Sequence, residues 1–238
     1  MVLKAYKENY IYSLGESYSK TFNYTSGKIE SEHKKYFFFG RIEARIKFSN
    51  VEGSWAAFWT CGENQCSIYW QYCGEIDIVE PINNNDYYNV VLHYASKNIK
   101  GVKPHKQIAK GDCGKGLIDL FKWHTYGMIW NKDRIDFYVD DVNNILYSID
   151  LPDDDKCDAF RKPHYLILNL ALGGNYAKLT PNDSDMPMEV KVDYIKVFSN
   201  VKNAEYRNEF DKDKKHYYDT NGEIIKNKTF YINKICSR

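Results

Sequence analysis

In a chain of 238 residues, 33 lysines and arginines almost balance 32 aspartates and glutamates. The formal charge of +1 offers no global field that would recruit nucleic acid, an anionic membrane or a polyanionic substrate. With 43% hydrophobic and 27% charged residues the chain can build a core, and no run approaches the ~20 apolar residues that span a bilayer.

Helical periodicity is nearly absent. Short alternating segments separated by glycine, asparagine and aspartate predict an all-β sandwich, with strands over residues 40–48, 54–60, 75–80, 88–93, 123–130, 134–139, 165–172 and 188–198. On the first of these, Arg41, Glu43, Arg45 and Lys47 share one face and Ile42, Ala44, Ile46 and Phe48 the other, and the polar side is expected to face a cleft. Trp55 and Trp59 lie on the next strand, and Trp70 precedes the third. Between residues 97 and 116 the chain is rich in glycine and lysine without period and is expected to form a long surface loop. Trp123 and Trp130 are expected in the core, Asp153-Asp154-Asp155 in a solvated turn, and Asn169 interrupts an apolar run. After Phe198 the pattern decays into a polar stretch with a small hairpin expected at Asn221-Gly222. Residues 1–199 are therefore expected to form one domain and 200–238 an extension of unknown role.

Aromatic residues make up 16% of the chain, with 21 tyrosines, more than a core usually asks for. Tyrosine suits strands, but aromatic faces also pair with the C–H faces of sugar rings, and composition leaves both readings open. The cysteines at 61, 66, 73, 113, 157 and 236 include no Cys-x2-Cys spacing, which argues against zinc. A Cys61–Cys66 or Cys66–Cys73 bridge and free thiols are both open. The start, Met1-Val2-Leu3-Lys4, is not a signal peptide, so the chain is cytosolic or its leader was removed.

The most informative segment is Gly74-Glu75-Ile76-Asp77-Ile78-Val79-Glu80. On a regular strand Glu75 and Asp77 share a face while Ile76 and Ile78 point into the core, and strict alternation would bury Glu80 with Ile78. A buried, unpaired carboxylate costs several kcal/mol. One extra residue at Ile78-Val79, a β-bulge, would return Glu80 to the face of Glu75 and Asp77. Three clustered carboxyl groups cannot all ionise freely, so at least one should keep its proton near neutrality, as a general acid requires. Retaining glycoside hydrolysis needs such a pair, one carboxylate and one carboxylic acid about 5–5.5 Å apart. An exposed strand carrying ordinary surface acids is the competing reading.

This segment resembles the catalytic signature of glycoside hydrolase family 16, in the laminarinase-like form with the extra residue. The likeness extends to Phe39-Gly40-Arg41-Ile42-Glu43-Ala44-Arg45, Gly53-Ser54-Trp55-Ala56-Ala57-Phe58-Trp59, Leu92-His93-Tyr94 and Trp123-His124-Thr125-Tyr126. It continues through Phe137-Tyr138-Val139-Asp140, Leu168-Asn169-Leu170-Ala171-Leu172-Gly173-Gly174 and Val192-Asp193-Tyr194-Ile195, so that agreement in order covers residues 3–198. The resemblance implies a jelly-roll β-sandwich of two stacked antiparallel sheets with a concave substrate cleft. It also implies an endo-acting, retaining hydrolase of β-1,3-glucan such as laminarin, or of mixed β-1,3/1,4-glucan. Glu75 would be the nucleophile, Glu80 the acid/base, Asp77 the neighbour that tunes Glu75, and His93 would lie close to the acid/base. Glu43, Arg45 and Asn169 would contact sugar hydroxyls, and Trp55 and Trp70 would serve as sugar platforms. No cofactor is implied for catalysis, but a structural calcium ion at Asp193 is. The expected partner is a polysaccharide, with no nucleic acid or membrane, and the chain is expected to be monomeric and secreted. A non-catalytic glucan-binding module, a transglycosylase and a galactan hydrolase are alternatives on the same scaffold. The family often has proline where this chain has Ala56 and Gln71, which bears on linkage preference.

Overall fold

A computed structural model describes residues 1–14, 18–65, 70–95, 105–151, 158–198 and 229–231. The strands are β1 (Val2–Leu14), β2 (Tyr18–Thr25), β3 (Lys28–Glu30), β4 (Gly40–Lys47), β5 (Ser54–Gly62), β6 (Glu75–Pro81) and β7 (Tyr88–Ala95). They continue with β8 (His105–Cys113), β9 (His124–Trp130), β10 (Arg134–Val139), β11 (Ile145–Asp150), β12 (His164–Leu172), β13 (Met188–Phe198) and β14 (Thr229–Tyr231). Two one-turn helices, α1 (Trp70–Cys73) and α2 (Gly174–Ala177), flank β6 and follow β12.

The strands form two antiparallel sheets. One runs β11-β10-β9-β4-β13-β1-β2, with β14 also on β13; the other runs β3-β12-β5-β6-β7-β8. Alternation explains how they stack. Ile42, Ala44 and Ile46 of β4 are fully buried and meet Phe58, Ile76, Leu92, Leu166, Leu168 and Leu170 of the six-stranded sheet in one core. The opposite face of the six-stranded sheet carries a second, smaller cluster of Cys61, Cys73, Tyr165 and Ile167, with Trp59 packed against it. This β-sandwich is the architecture expected from the strand pattern.

Three features depart from the reading of the sequence. Part of the segment expected to be a surface loop, from His105 to Cys113, is the edge strand β8, bonded to β7. Its lysines suit an edge, where charge discourages pairing with other chains. The β1–β2 hairpin and β11 were not anticipated, because their side chains are largely exposed and show little apolar contrast. The core expectation holds for Trp130, which is buried, but Trp123 is 37% exposed, with the Arg45 guanidinium 5.0 Å from its ring centre. Three residues of the extension, Thr229–Tyr231, pair with β13. The aspartates at 153–155 and the turn at 221–222 lie outside the described residues.

Candidate active site

The site begins at Gly74, whose φ of +82° suits glycine and turns the chain from α1 into β6. Along β6, Asp77 pairs with Val91 while Glu80 pairs with Asn89, so three residues on β6 match two on β7. The other neighbour shows the same slip, with Phe58 opposite Val79 and Trp59 opposite Asp77. Ile78 is thus the extra residue of a β-bulge. The bulge keeps Ile76 and Ile78 in the core and turns Glu75, Asp77 and Glu80 toward one cavity of about 700 Å³.

Aromatic side chains hold Glu75 and Glu80 in place. The Trp70 indole donates to Glu75 Oε2, and the Trp55 indole donates to Glu80 Oε1 at 2.8 Å. The Trp55 ring meets Tyr176 of α2 edge-on at 5.2 Å, and Trp59 donates to Asn169 Oδ1 at 2.7 Å. All of these aromatic residues, with Asn169, line the cavity beside the carboxyls. His93 stands across from Glu75 in the β6–β7 pairing, its Nε2 3.8 Å from Glu75 Oε1 and 3.5 Å from Asp77 Oδ2.

Burial dominates the electrostatics. It pushes Glu75 up to about 7, with Glu80 adding repulsion and the Trp70 hydrogen bond opposing the rise. Asp77 is held well above the ordinary carboxyl range, first by burial and then by Glu75 and Glu80. Its Oδ2 is buried without a hydrogen-bond partner among the described residues. Glu80 is raised by burial, against hydrogen bonds from Trp55 and Tyr176. The cluster therefore holds protons at pH values where isolated carboxyls have lost them. A wall with one proton-bearing and one ionised carboxyl can both protonate a leaving oxygen and attack a carbon.

Seven of the residues singled out from the sequence meet at this cavity: Glu75, Asp77, Glu80, His93, Trp55, Trp70 and Asn169. Three do not. Glu43 and Arg45 were expected to contact sugar, but β4 belongs to the eight-stranded sheet, so their shared polar face looks away from the cavity. Glu43 accepts the Tyr138 hydroxyl at 2.6 Å, and Arg45 pairs with Asp193 at 2.8 Å. Asp193 is also the position where a calcium ion was implied. A calcium ion takes six to eight oxygen ligands, and the described residues gather no group of three acid, His or Cys ligands at Asp193. His93 differs in its neighbour: it lies beside Glu75 and Asp77 rather than the expected acid/base Glu80, because the register places Asn89 opposite Glu80. Cys61 and Cys73 are free thiols with sulfurs 3.4 Å apart; both bridges weighed from the sequence involve Cys66, which lies outside the described residues.

Sequence reasoning missed Tyr176, Gln107 and Ser26, which also line the cavity. For Tyr176 the usable signal was Gly173-Gly174, directly after β12, whose positive φ angles of +61° and +79° lead the chain into α2 at the cleft rim.

The chain is similar to proteins that act on polysaccharides. It is 32% identical over 185 residues to glucan endo-1,3-beta-glucosidase A1 of Niallia circulans, covering 74% of this chain and 26% of that protein. Over 177 residues it is 30% identical to keratan-sulfate endo-1,4-beta-galactosidase of Sphingobacterium multivorum, covering 74% of this chain and 40% of that one. It thus spans less than half the length of these relatives. Among solved structures, the laminarinase of Flavobacterium sp. UMI-01 superimposes with a TM-score of 0.64 at 32% identity, over 83% of this chain and 78% of that one, and has the same jelly-roll sandwich. The bulged carboxylate strand thus lies within a stretch, residues 3–196, that matches the model of glycosyl hydrolases family 16, and the chain belongs to that family.

Proposed function

We propose that this chain is an endo-acting, retaining glycoside hydrolase that cleaves β-1,3-glucan of the laminarin type, including mixed β-1,3/1,4-glucan. The observation that carries the reading is the extra residue at Ile78, which turns Glu75 and Glu80 to the same cavity. In the first step a Glu75 oxygen bonds to the anomeric carbon as the glycosidic C–O bond breaks, and the Glu80 proton passes to the departing oxygen. In the second, Glu80 takes a proton from water, the water oxygen bonds to the anomeric carbon, and Glu75 leaves with its electron pair, so configuration is retained. Burial and the two glutamates raise Asp77, which opposes a third negative charge in the cluster. Trp70 and Trp55 present aromatic surface where a sugar would lie and fix the carboxyl groups with their N–H bonds.

The glucanase and laminarinase relatives favour a glucan substrate. The similarity to a keratan-sulfate galactosidase favours a second reading, a galactan-type chain in the same cleft. A polysaccharide substrate also favours a secreted protein. No helix among the described residues is long and apolar enough to cross a membrane.

Incubation with laminarin should release reducing oligosaccharides whose first-formed anomer is β. Glu75→Gln should lower that rate at least several hundred-fold while leaving glucan binding measurable. Products from galactans but not glucans would select the second reading. Binding to the polysaccharides with no product would leave only a recognition module.

A further inference from the structure

The β1–β2 hairpin exposes an unusual surface. Only Val2–Ala5 of β1 pair with β13; from Tyr6 onward β1 is bonded to β2, leaving a two-stranded arm beyond the sheet. Tyr10 pairs with Phe22 and Tyr12 with Lys20, so these four side chains share one face of the arm with Tyr18. Tyr10 is 52% exposed, Tyr18 51%, Tyr12 41% and Phe22 39%. The Tyr12 and Tyr18 rings meet edge-on at 6.5 Å, and the Lys20 ammonium lies 4.9 Å from the centre of the Phe22 ring.

Two connections join this face to the cleft. β2 ends at Thr25, and the next residues, Ser26, Gly27 and Lys28, line the catalytic cavity, with Ser26 Oγ bonded to the Leu170 carbonyl of β12. Tyr24, on the aromatic face near its base, donates to Asp183 at 3.0 Å, while Lys7 pairs with the same carboxylate. Asp183 lies in the segment that follows Tyr176 of the cavity wall.

We propose that the tyrosine face of this arm is an accessory binding site for the polysaccharide chain, holding glucan outside the catalytic cleft. Its chemistry suits a sugar, since phenol rings edged by hydroxyls and an ammonium group match a ligand with apolar C–H faces and a hydroxyl rim. Tyrosine and phenylalanine are also common in interfaces between proteins, so the choice of a sugar rests on the connection to the cleft. The arm is continuous with a cavity read as a polysaccharide cleft, so a long chain leaving the cleft has aromatic surface to follow. The choice of glucan as ligand rests on the function proposed above.

The test compares Glu75→Gln with the same chain carrying Tyr10→Ala, Tyr12→Ala and Tyr18→Ala, by migration through native gels containing laminarin. Loss of the rings should weaken binding about tenfold, and the corresponding Tyr→Phe changes should keep most of it. With Glu75 intact, the triple alanine variant should turn over a short laminari-oligosaccharide normally while its KM for polymeric laminarin rises. Equal retention of the two chains would overturn the proposal. So would loss of oligosaccharide turnover, or a wild-type dimer that the alanines dissociate in sedimentation. If the wild-type chain released nothing from laminarin but the arm still governed retention, the reading of the cleft would fail and the accessory site would stand.

Discussion

The Trp70 indole donates its N–H to Glu75 Oε2, so a side chain placed to carry a sugar ring is also bonded to the carboxyl group placed to attack one. This bond favours the ionised form of Glu75 against the burial that raises it. Trp70→Phe keeps an aromatic face but removes the donor, and Glu75 should then titrate higher. A nucleophile must be ionised, so the acidic limb of kcat/KM should move to higher pH, with a larger rate loss at pH 5 than at pH 8. The pH profiles of the two proteins check this; a uniform loss at every pH would mean that Trp70 acts only as a platform.

The same burial costs stability. Glu75 is held near 7 in the folded chain against an ordinary value of 4.5, so the native state binds more protons than the unfolded state between those values. Stability linked to this group is full below about pH 4.5 and is lost as pH rises toward 7. Glu75→Gln removes the titration and should stabilise the protein at pH 8 by roughly 2–3 kcal/mol, with almost no gain at pH 4. Asp77→Asn should act in the same direction, since Asp77 is raised by burial and by both neighbours. Thermal melting of the variants at the two pH values reads the difference, and an equal shift at both would refute the linkage.

Gly74 sets the direction of β6 with a φ of +82°, and a Cβ there would lie 2.7 Å from the Ala159 carbonyl oxygen. Backbone cannot yield as a flexible side chain can. Gly74→Ala should therefore destabilise the chain by about 2–4 kcal/mol, from positive φ and overpacking together. Because Glu75 follows directly, activity should fall more than the folded fraction does. Denaturant melts and rate measurements on the same preparation separate the two effects.

Much of this site was legible because burial penalties are local. Glu80 among Ile76, Ile78 and Val79 would sit in the core of a regular strand, a conflict that an extra residue removes, and the bulge is found where the conflict lies. The polar face of β4 shows the opposite case. Its alternation is as clean as expected, with Ile42, Ala44 and Ile46 fully buried, yet Glu43 and Arg45 serve Tyr138 and Asp193 rather than a ligand.

By itself the sequence determined which residues alternate, where most strands between residues 40 and 198 run, and that one extra residue would bring three carboxyl groups to a shared face. These follow from the two-residue period of a strand and the cost of burying charge, both set by near neighbours. Tertiary structure alone decided which sheet each polar face belongs to, that His93 stands beside Glu75 rather than Glu80, and that Tyr176 reaches Trp55. Sheet order and register join residues far apart in the chain, and no local pattern encodes which strands become neighbours.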